Sequence, residues 1–220
     1  MKALIVRGGW EGHAPVESTS LFIDFLAARG FAIDIRDQLA AYDDPALLAS
    51  ADLIVQCWTN GGLTASQERN LVDRVRSGAG LAGWHGGITA FGYENPQYQY
   101  MIGGRFVFHP GGFVEHSIGI AGSHPITAGL GGYRVHTEQY FCHVDPSLTV
   151  LATTEFAGTP DAPETAGVTM PVVWTRHFGA GRVFVCTLGH SPADLRVPQT
   201  RTITERGLLW AAGALNSPQR

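Results

Sequence analysis

Ala3-Leu-Ile-Val6 opens the chain with consecutive apolar residues and stops at Arg7-Gly8-Gly9. An apolar run without polar alternation suits a strand buried on both faces, as in a parallel sheet covered by helices. The pattern then repeats with helical stretches between the runs. An amphipathic segment from about Val16 to Arg29 carries Leu21, Phe22, Phe25 and Leu26 and stops at Gly30. Phe31–Ile35 and Leu53–Cys57 are the next strand candidates. Thr64-Ala-Ser-Gln67 has capping-box spacing and opens a helix with Leu71, Val72 and Val75, closed by Gly78. Gly80–Trp84 is a fourth strand. This order predicts a parallel sheet wound by helices on both faces.

The second half changes character. Gly103-Gly104, Gly111-Gly112 and Gly131-Gly132 punctuate loops and short strands, with Val114–Ile120, Tyr133–Phe141 and Leu148–Thr154 reading as strands. Pro171–Phe178 and Arg182–Leu188 form an expected hairpin through Gly179-Ala-Gly181. A closing helix spans about Thr202 to Leu215. No repeat or linker divides the chain, so residues 1–220 are expected to form a single domain.

Hydrophobic residues make up 45% and charged residues 15% of the chain, the balance of a globular protein. A net charge of −4 and the lack of any basic run argue against nucleic acid as a partner. No apolar stretch approaches the ~20 residues that span a bilayer. Cys57, Cys142 and Cys186 cannot all pair within the chain, and each sits in a strand-like context, which fits reduced core thiols and a cytoplasmic location.

The most informative segment is Gly83-Trp84-His85-Gly86-Gly87, at the end of a hydrophobic strand and before a helix-like stretch. A nucleophile elbow needs small neighbours because its central residue is strained and must project above the sheet. Here that residue is a histidine, where hydrolases and amidotransferases carry Ser or Cys. An imidazole can act as acid or base near neutral pH, or ligate a metal when neutral. Read as plain structure, the same segment is a flexible turn with a buried histidine.

Residues following each parallel strand gather at one rim. Trp10-Glu11-Gly12-His13 follows the first strand, Trp58-Thr59-Asn60 the third, His85 the fourth, and His190 the late strand. Indole rings stack on the apolar face of a sugar, so Trp10 and Trp58 are candidates to hold one. Glu138 lies in an otherwise apolar strand, where a carboxylate needs a partner or a catalytic reason to be ionised. The middle region adds His109-Pro-Gly-Gly and Glu115-His116; the last two face opposite sides of a strand, so only one can enter a given pocket. His124-Pro-Ile-Thr reads as a turn and cap. No compact metal motif is present, so any metal would draw its ligands from distant segments.

Several of these segments, in this order, resemble the ThuA-like (trehalose utilisation) family. They are Gly83-x-His85, Gly103-Gly104-x-Phe106 with His109, His124-Pro-Ile-Thr-x-Gly-Leu130, Glu138-x-Tyr140, Pro171-Val-Val-Trp-Thr-Arg176, Gly179-x-Gly-Arg-Val183 and Leu188-Gly-His190. Trp10-Glu11-x-His13 is similar to the tryptophan, glutamate and histidine after the family's first strand. Thr137 departs from the acidic residue that often precedes the family's glutamate. The resemblance implies an α/β parallel-sheet sandwich of the class I glutamine amidotransferase-like, flavodoxin-like type. It also implies a link to disaccharide or keto-sugar utilisation.

The expected reaction centre is His85, Glu138, His190, His13 and Glu11, working as acid/base groups or as ligands of a divalent metal. Trp10, Trp58, His109, His116 and Tyr140 are the expected substrate-binding residues. The metal and the cofactor stay open, as does a homodimer; the expected partner is a small-molecule sugar, with neither nucleic acid nor membrane. Glutamine amidotransferase or cysteine peptidase chemistry is disfavoured because no thiol occupies the elbow. The alternative is a non-catalytic sugar-binding or regulatory module on the same scaffold.

Overall fold

The computed structural model describes residues 1–215. Its first half alternates strictly: β1 (Lys2–Gly9), α1 (Pro15–Ala28), β2 (Ala32–Arg36), α2 (Pro45–Ser50), β3 (Leu53–Thr59), α3 (Ala65–Arg76) and β4 (Gly80–Trp84). Two short helices follow, α4 (Gly86–Thr89) and α5 (Pro96–Ile102). The second half holds β5 (Gly104–Phe108), β6 (Phe113–Ile120), β7 (Tyr133–Glu138), β8 (Phe141–Val144), β9 (Thr149–Glu155), β10 (Thr169–Phe178) and β11 (Gly181–Cys186). Helices α6 (Pro192–Arg196) and α7 (Pro198–Ala211) end the described chain.

A nine-stranded sheet has the order β2-β1-β3-β4-β11-β10-β9-β6-β7. From β2 to β11 every neighbouring pair is parallel. From β11 to β7 every pair is antiparallel. The expected parallel sheet is therefore one half of a larger mixed sheet. The late hairpin causes the switch: β11 returns from β10 and inserts beside β4, pairing Val183 with Leu81.

The parallel strands are apolar throughout because each face meets a helical layer. Ala3, Ile5, Val55, Ala82 and Phe184 point toward α1 and α7, joining Phe22, Leu26, Ile203 and Leu208. Leu4, Val6, Ile54, Leu81, Val183 and Val185 point the other way, toward Leu48, Leu71, Val72 and Ile102 of α2, α3 and α5. Both halves of the Thr64 capping box form, so α3 starts where its spacing predicts. Helix α2 is short and begins with Asp44, whose side chain accepts from the Leu47 amide. It carries no long apolar period, and neither α2 nor α5 is apparent from the periodicity.

The run Tyr133–Phe141 is two strands rather than one. β7 ends at Glu138, and Phe141 begins β8, which pairs with β5 in a separate two-stranded sheet. Between them the Gln139 side chain donates to Thr154 Oγ1 at 2.7 Å, and Tyr140 turns onto the His85 ring. The chain changes sheets at the point where it meets the elbow. At His124 the expected turn forms, with Nδ1 accepting from the Ile126 amide.

Candidate functional site

His85 sits at the end of β4 with φ 49° and ψ −142°, a conformation that L-residues avoid. Such strain costs on the order of 1–3 kcal/mol and persists only where the surroundings enforce it. The enforcement is visible here. The His85 amide donates to the Cys186 carbonyl at 2.7 Å, and Thr89 Oγ1 donates to the His85 carbonyl at 2.7 Å. The flanking glycines are obligatory for packing: a Cβ on Gly83 would lie 2.5 Å from the Gln56 carbonyl oxygen, and one on Gly86 2.3 Å from the His13 ring. The elbow expected from Gly-x-His-x-Gly is thus present, and it aims an imidazole at the carboxyl edge of the parallel strands.

Four elements bring side chains to this edge. His13 arrives from the 3₁₀ turn Glu11–His13 after β1, His190 after β11, and Glu138 from the last residue of β7. One ligand-type atom from each of His13, His85, Glu138 and His190 lies within 4.8 Å of the others. Glu138 is the hub. Its Oε2 is 3.0 Å from His85 Nε2 and 3.2 Å from His190 Nδ1, and its Oε1 is 3.6 Å from His109 Nε2. Tyr140 stacks on His85 with ring centroids 4.0 Å apart.

Protonation follows from these contacts. A carbonyl only accepts, so the 2.8 Å contact from His85 Nδ1 to the Thr187 carbonyl places a proton on Nδ1. Burial pushes His85 below its ordinary value, against the pull of Glu138 and the Thr187 carbonyl. Burial, then the His85 and His190 imidazoles, drive His13 down to about 3, so it is neutral at pH 7. Burial alone would raise Glu138, but the hydrogen bond with His190 foremost outweighs that and holds the carboxyl well below the usual range. The Glu138 contact raises His190. The centre is an ionised carboxylate among imidazoles, two of them held neutral.

A hollow of about 220 Å³ opens above the cluster, lined by Trp10, Thr59, Asn60, Phe106, His109 and Tyr140 together with His13 and Glu138. Trp10 is half-exposed and meets His13 edge-on. Of the expected site residues, His85, Glu138, His190, His13, Trp10, His109 and Tyr140 come together. The remaining three do not. Glu11 is exposed, because the 3₁₀ turn that sends His13 inward sends Glu11 out. The Trp58 ring lies over Gly8 and packs against the α2/α3 side of the core; its neighbours Thr59 and Asn60 line the hollow instead. His116 is buried in β6 with Nδ1 3.1 Å from the Val114 carbonyl, facing a different hollow that Gln139 and Phe156 share.

Two aromatics of the site escape the sequence reading as site residues. Phe106 stands in a quoted motif but, on an irregular strand, gives no sign of facing the hollow. Phe113 packs edge-on against His190 at 4.8 Å while remaining 51% exposed.

The family model for ThuA, trehalose utilisation, matches residues 2–211. The chain belongs to the ThuA family. Solved structures agree in fold at low identity. A ThuA-like protein from Bacteroides uniformis ATCC 8492 is 18% identical, with a TM-score of 0.79 over 96% of this chain and 91% of its own. A ThuA-like protein from Parabacteroides merdae ATCC 43184 is 16% identical, with a TM-score of 0.76 over 100% and 92%. A cytoplasmic protein from Salmonella typhimurium LT2 is 16% identical, with a TM-score of 0.64 over 99% and 100%. No curated protein matches the chain in sequence. Within this ThuA fold the α/β, amidotransferase-like architecture is established. A role in trehalose or carbohydrate utilisation holds at the level of the family. Among the described residues, no helix is long and apolar enough to cross a membrane.

Proposed function

We propose that the chain is an enzyme acting on a disaccharide or keto-sugar, with the His85–Glu138–His190–His13 cluster as its reaction centre in place of the amidotransferase cysteine. The observation that carries this reading is the position of Glu138, with Oε2 3.0 Å from His85 and 3.2 Å from His190 at the floor of an aromatic hollow. A carboxylate and imidazoles in that arrangement serve either as acid/base groups or as metal ligands; both chemistries act on hydroxyl and carbonyl oxygens.

The hollow suits one sugar ring. Trp10, Phe106 and Tyr140 offer faces for its apolar side, and Asn60 and Thr59 offer hydrogen bonds to its edge. His109 is 39% exposed and faces Glu138 Oε1, which supports a role in exchanging protons with the bound ring. The partner is accordingly a small sugar. Three free, buried thiols and the cytoplasmic name of the Salmonella structural neighbour support a cytoplasmic site of action.

The test is turnover of trehalose, other disaccharides and their keto derivatives by the purified chain, followed by product chromatography. His85→Asn should abolish turnover, while Cys57→Ala should leave it intact. Sugar binding without turnover in the wild type, weakened by His85→Asn, would instead mark a non-catalytic sugar-binding module.

A further inference from the structure

Glu138 Oε2 and His85 Nε2 stand 3.0 Å apart, and the proton of His85 is already committed to the Thr187 carbonyl on the other side of the ring. In the neutral imidazole, Nε2 carries a lone pair and no hydrogen. A lone pair therefore faces a carboxylate oxygen in a buried position, where repulsion is poorly screened. His190 Nδ1 stands 3.2 Å from the same oxygen. A cation in the middle of the group satisfies every one of these atoms at once.

We propose that His13, His85, Glu138 and His190 bind a single divalent transition-metal ion at the floor of the hollow. The two contacts to Glu138, at 3.0 and 3.2 Å, are close to the spacing of adjacent ligands about 2.1 Å from a shared ion, which is about 3.4 Å for a tetrahedron. The widest separation among the four, 4.8 Å, exceeds the about 4.2 Å that two opposite ligands can span, so binding would draw the outermost side chain inward by roughly half an ångström. The hollow borders His13 and Glu138, so a substrate atom there could reach a further position on the ion.

The surroundings of the ligands support the same assignment. Ligating histidines characteristically tie their second nitrogen to a carbonyl or hydroxyl, which fixes the ring and its tautomer. His85 does so through the Thr187 carbonyl at 2.8 Å, and His13 through Thr59 Oγ1 at 2.8 Å. The donor set of three imidazoles and one carboxylate selects zinc, cobalt, manganese or iron in the divalent state over magnesium or calcium, which prefer oxygen. The catalytic meaning of the ion rests on the reading of this cluster as a reaction centre. There it would polarise a sugar hydroxyl or carbonyl oxygen at that further position.

The experiment uses the full chain, stripped with a chelator and titrated with Co²⁺ alone while visible d–d absorption is recorded. One equivalent should bind, be displaced by Zn²⁺ and resist Mg²⁺. Glu138→Gln and His190→Gln should each weaken Co²⁺ binding on the order of 100-fold or more, and His116→Ala should leave it unchanged. Far-UV circular dichroism checks that each variant is folded, and His190→Gln, on the rim, serves if a buried variant does not fold. Absent saturable binding, or binding undiminished in folded Glu138→Gln and His190→Gln, would overturn the site. Sugar turnover by a protein that shows no Co²⁺ site would retire the metal and leave the enzyme; a Co²⁺ site without sugar turnover would retain the metal and retire the enzyme.

Discussion

In the parallel half of the sheet, β1, β3, β4 and β11 finish at one edge, and each passes a polar residue to the cluster or to the hollow above it within a few positions of its end: His13, Thr59, His85 and His190. In the antiparallel half, β6 reaches the same place with Phe113 against His190, and β7 does so by breaking off at Glu138 so that Tyr140 can cover the elbow. The first half supplies imidazoles on a scaffold buried on both faces. The second supplies the carboxylate, His109 and most of the aromatic wall from strands that are half-exposed. Rigid placement and adaptable closure are therefore divided between two kinds of sheet, a division suited to holding a centre fixed while its cover varies.

The sharpest way to break this picture is to remove the single charge contributed by the antiparallel half. Glu138→Gln keeps the volume and the hydrogen-bonding reach but not the charge. It should lower sugar turnover on the order of 10²–10⁴-fold in a chain that far-UV circular dichroism shows to be folded. If turnover survives Glu138→Gln and is lost only in the histidine variants, the antiparallel half is a cover and nothing more.

Packing offers the next test. A Cβ at Gly181, in the parallel half, would lie 2.0 Å from the Val75 carbonyl oxygen and 2.6 Å from that of Ala79. Gly181→Ala should cost about 3 kcal/mol in urea unfolding. At Gly119, in the antiparallel half, the nearest atom is 3.7 Å away, and Gly119→Ala should stay within about 0.5 kcal/mol. Equal losses would mean that the two halves are packed with equal tightness.

Thiol reactivity sharpens the comparison on the scale of local opening. Burial pushes Cys57, Cys142 and Cys186 up to about 12 each. The folded chain should resist alkylation at pH 8, and denaturation should release all three. Cys57 and Cys186 belong to the parallel strands and Cys142 to β8. Slow labelling of Cys142 ahead of the other two would show the two-stranded sheet opening independently of the scaffold.

The difference between the halves also governs how much of the molecule could be read in advance. Continuous apolar runs such as Ala3–Val6 and Gly80–Trp84 report a strand with two buried faces. The order of the early strands then follows from connection rules, which gathers His13 and His85 at one rim before any coordinates exist. Glu138 could be suspected because a carboxylate in an apolar strand is costly, but its partners depend on an interruption of the strand at Gln139 that no periodicity signals. Glu11 and Trp58 show the opposite failing. Proximity in sequence to a rim residue does not decide direction, because a 3₁₀ turn and a strand end each send successive side chains to different sides. His116 was placed on a strand correctly, yet that strand has a buried face on a second hollow. The antiparallel switch itself depends on β11 choosing β4 as a neighbour, a long-range pairing invisible to local pattern.

The smallest expected contrast lies at the two outer edges of the sheet. On β2, Asp34 accepts from Arg36 Nε at 2.8 Å and pairs with Lys2 Nζ at 3.1 Å, and the Arg36 contact foremost lowers its carboxyl pKa. On β6 and β7, Glu115 and Arg134 pair at 3.0 Å with both side chains 67% exposed. A lowered carboxylate contributes stability that is complete above the ordinary aspartate value of about 3.9 and is lost as the pH falls through the folded-state value. Asp34→Asn should therefore cost about 0.5 kcal/mol at pH 7 and progressively less below pH 4. Glu115→Gln should cost less still, because solvent screens a pair so exposed and the two long side chains lose freedom to form it. Urea unfolding at pH 7 and pH 3 separates the two. A larger acid-dependent loss at Glu115 than at Asp34 would place the stronger electrostatic edge on the antiparallel side, against the burial of the partners.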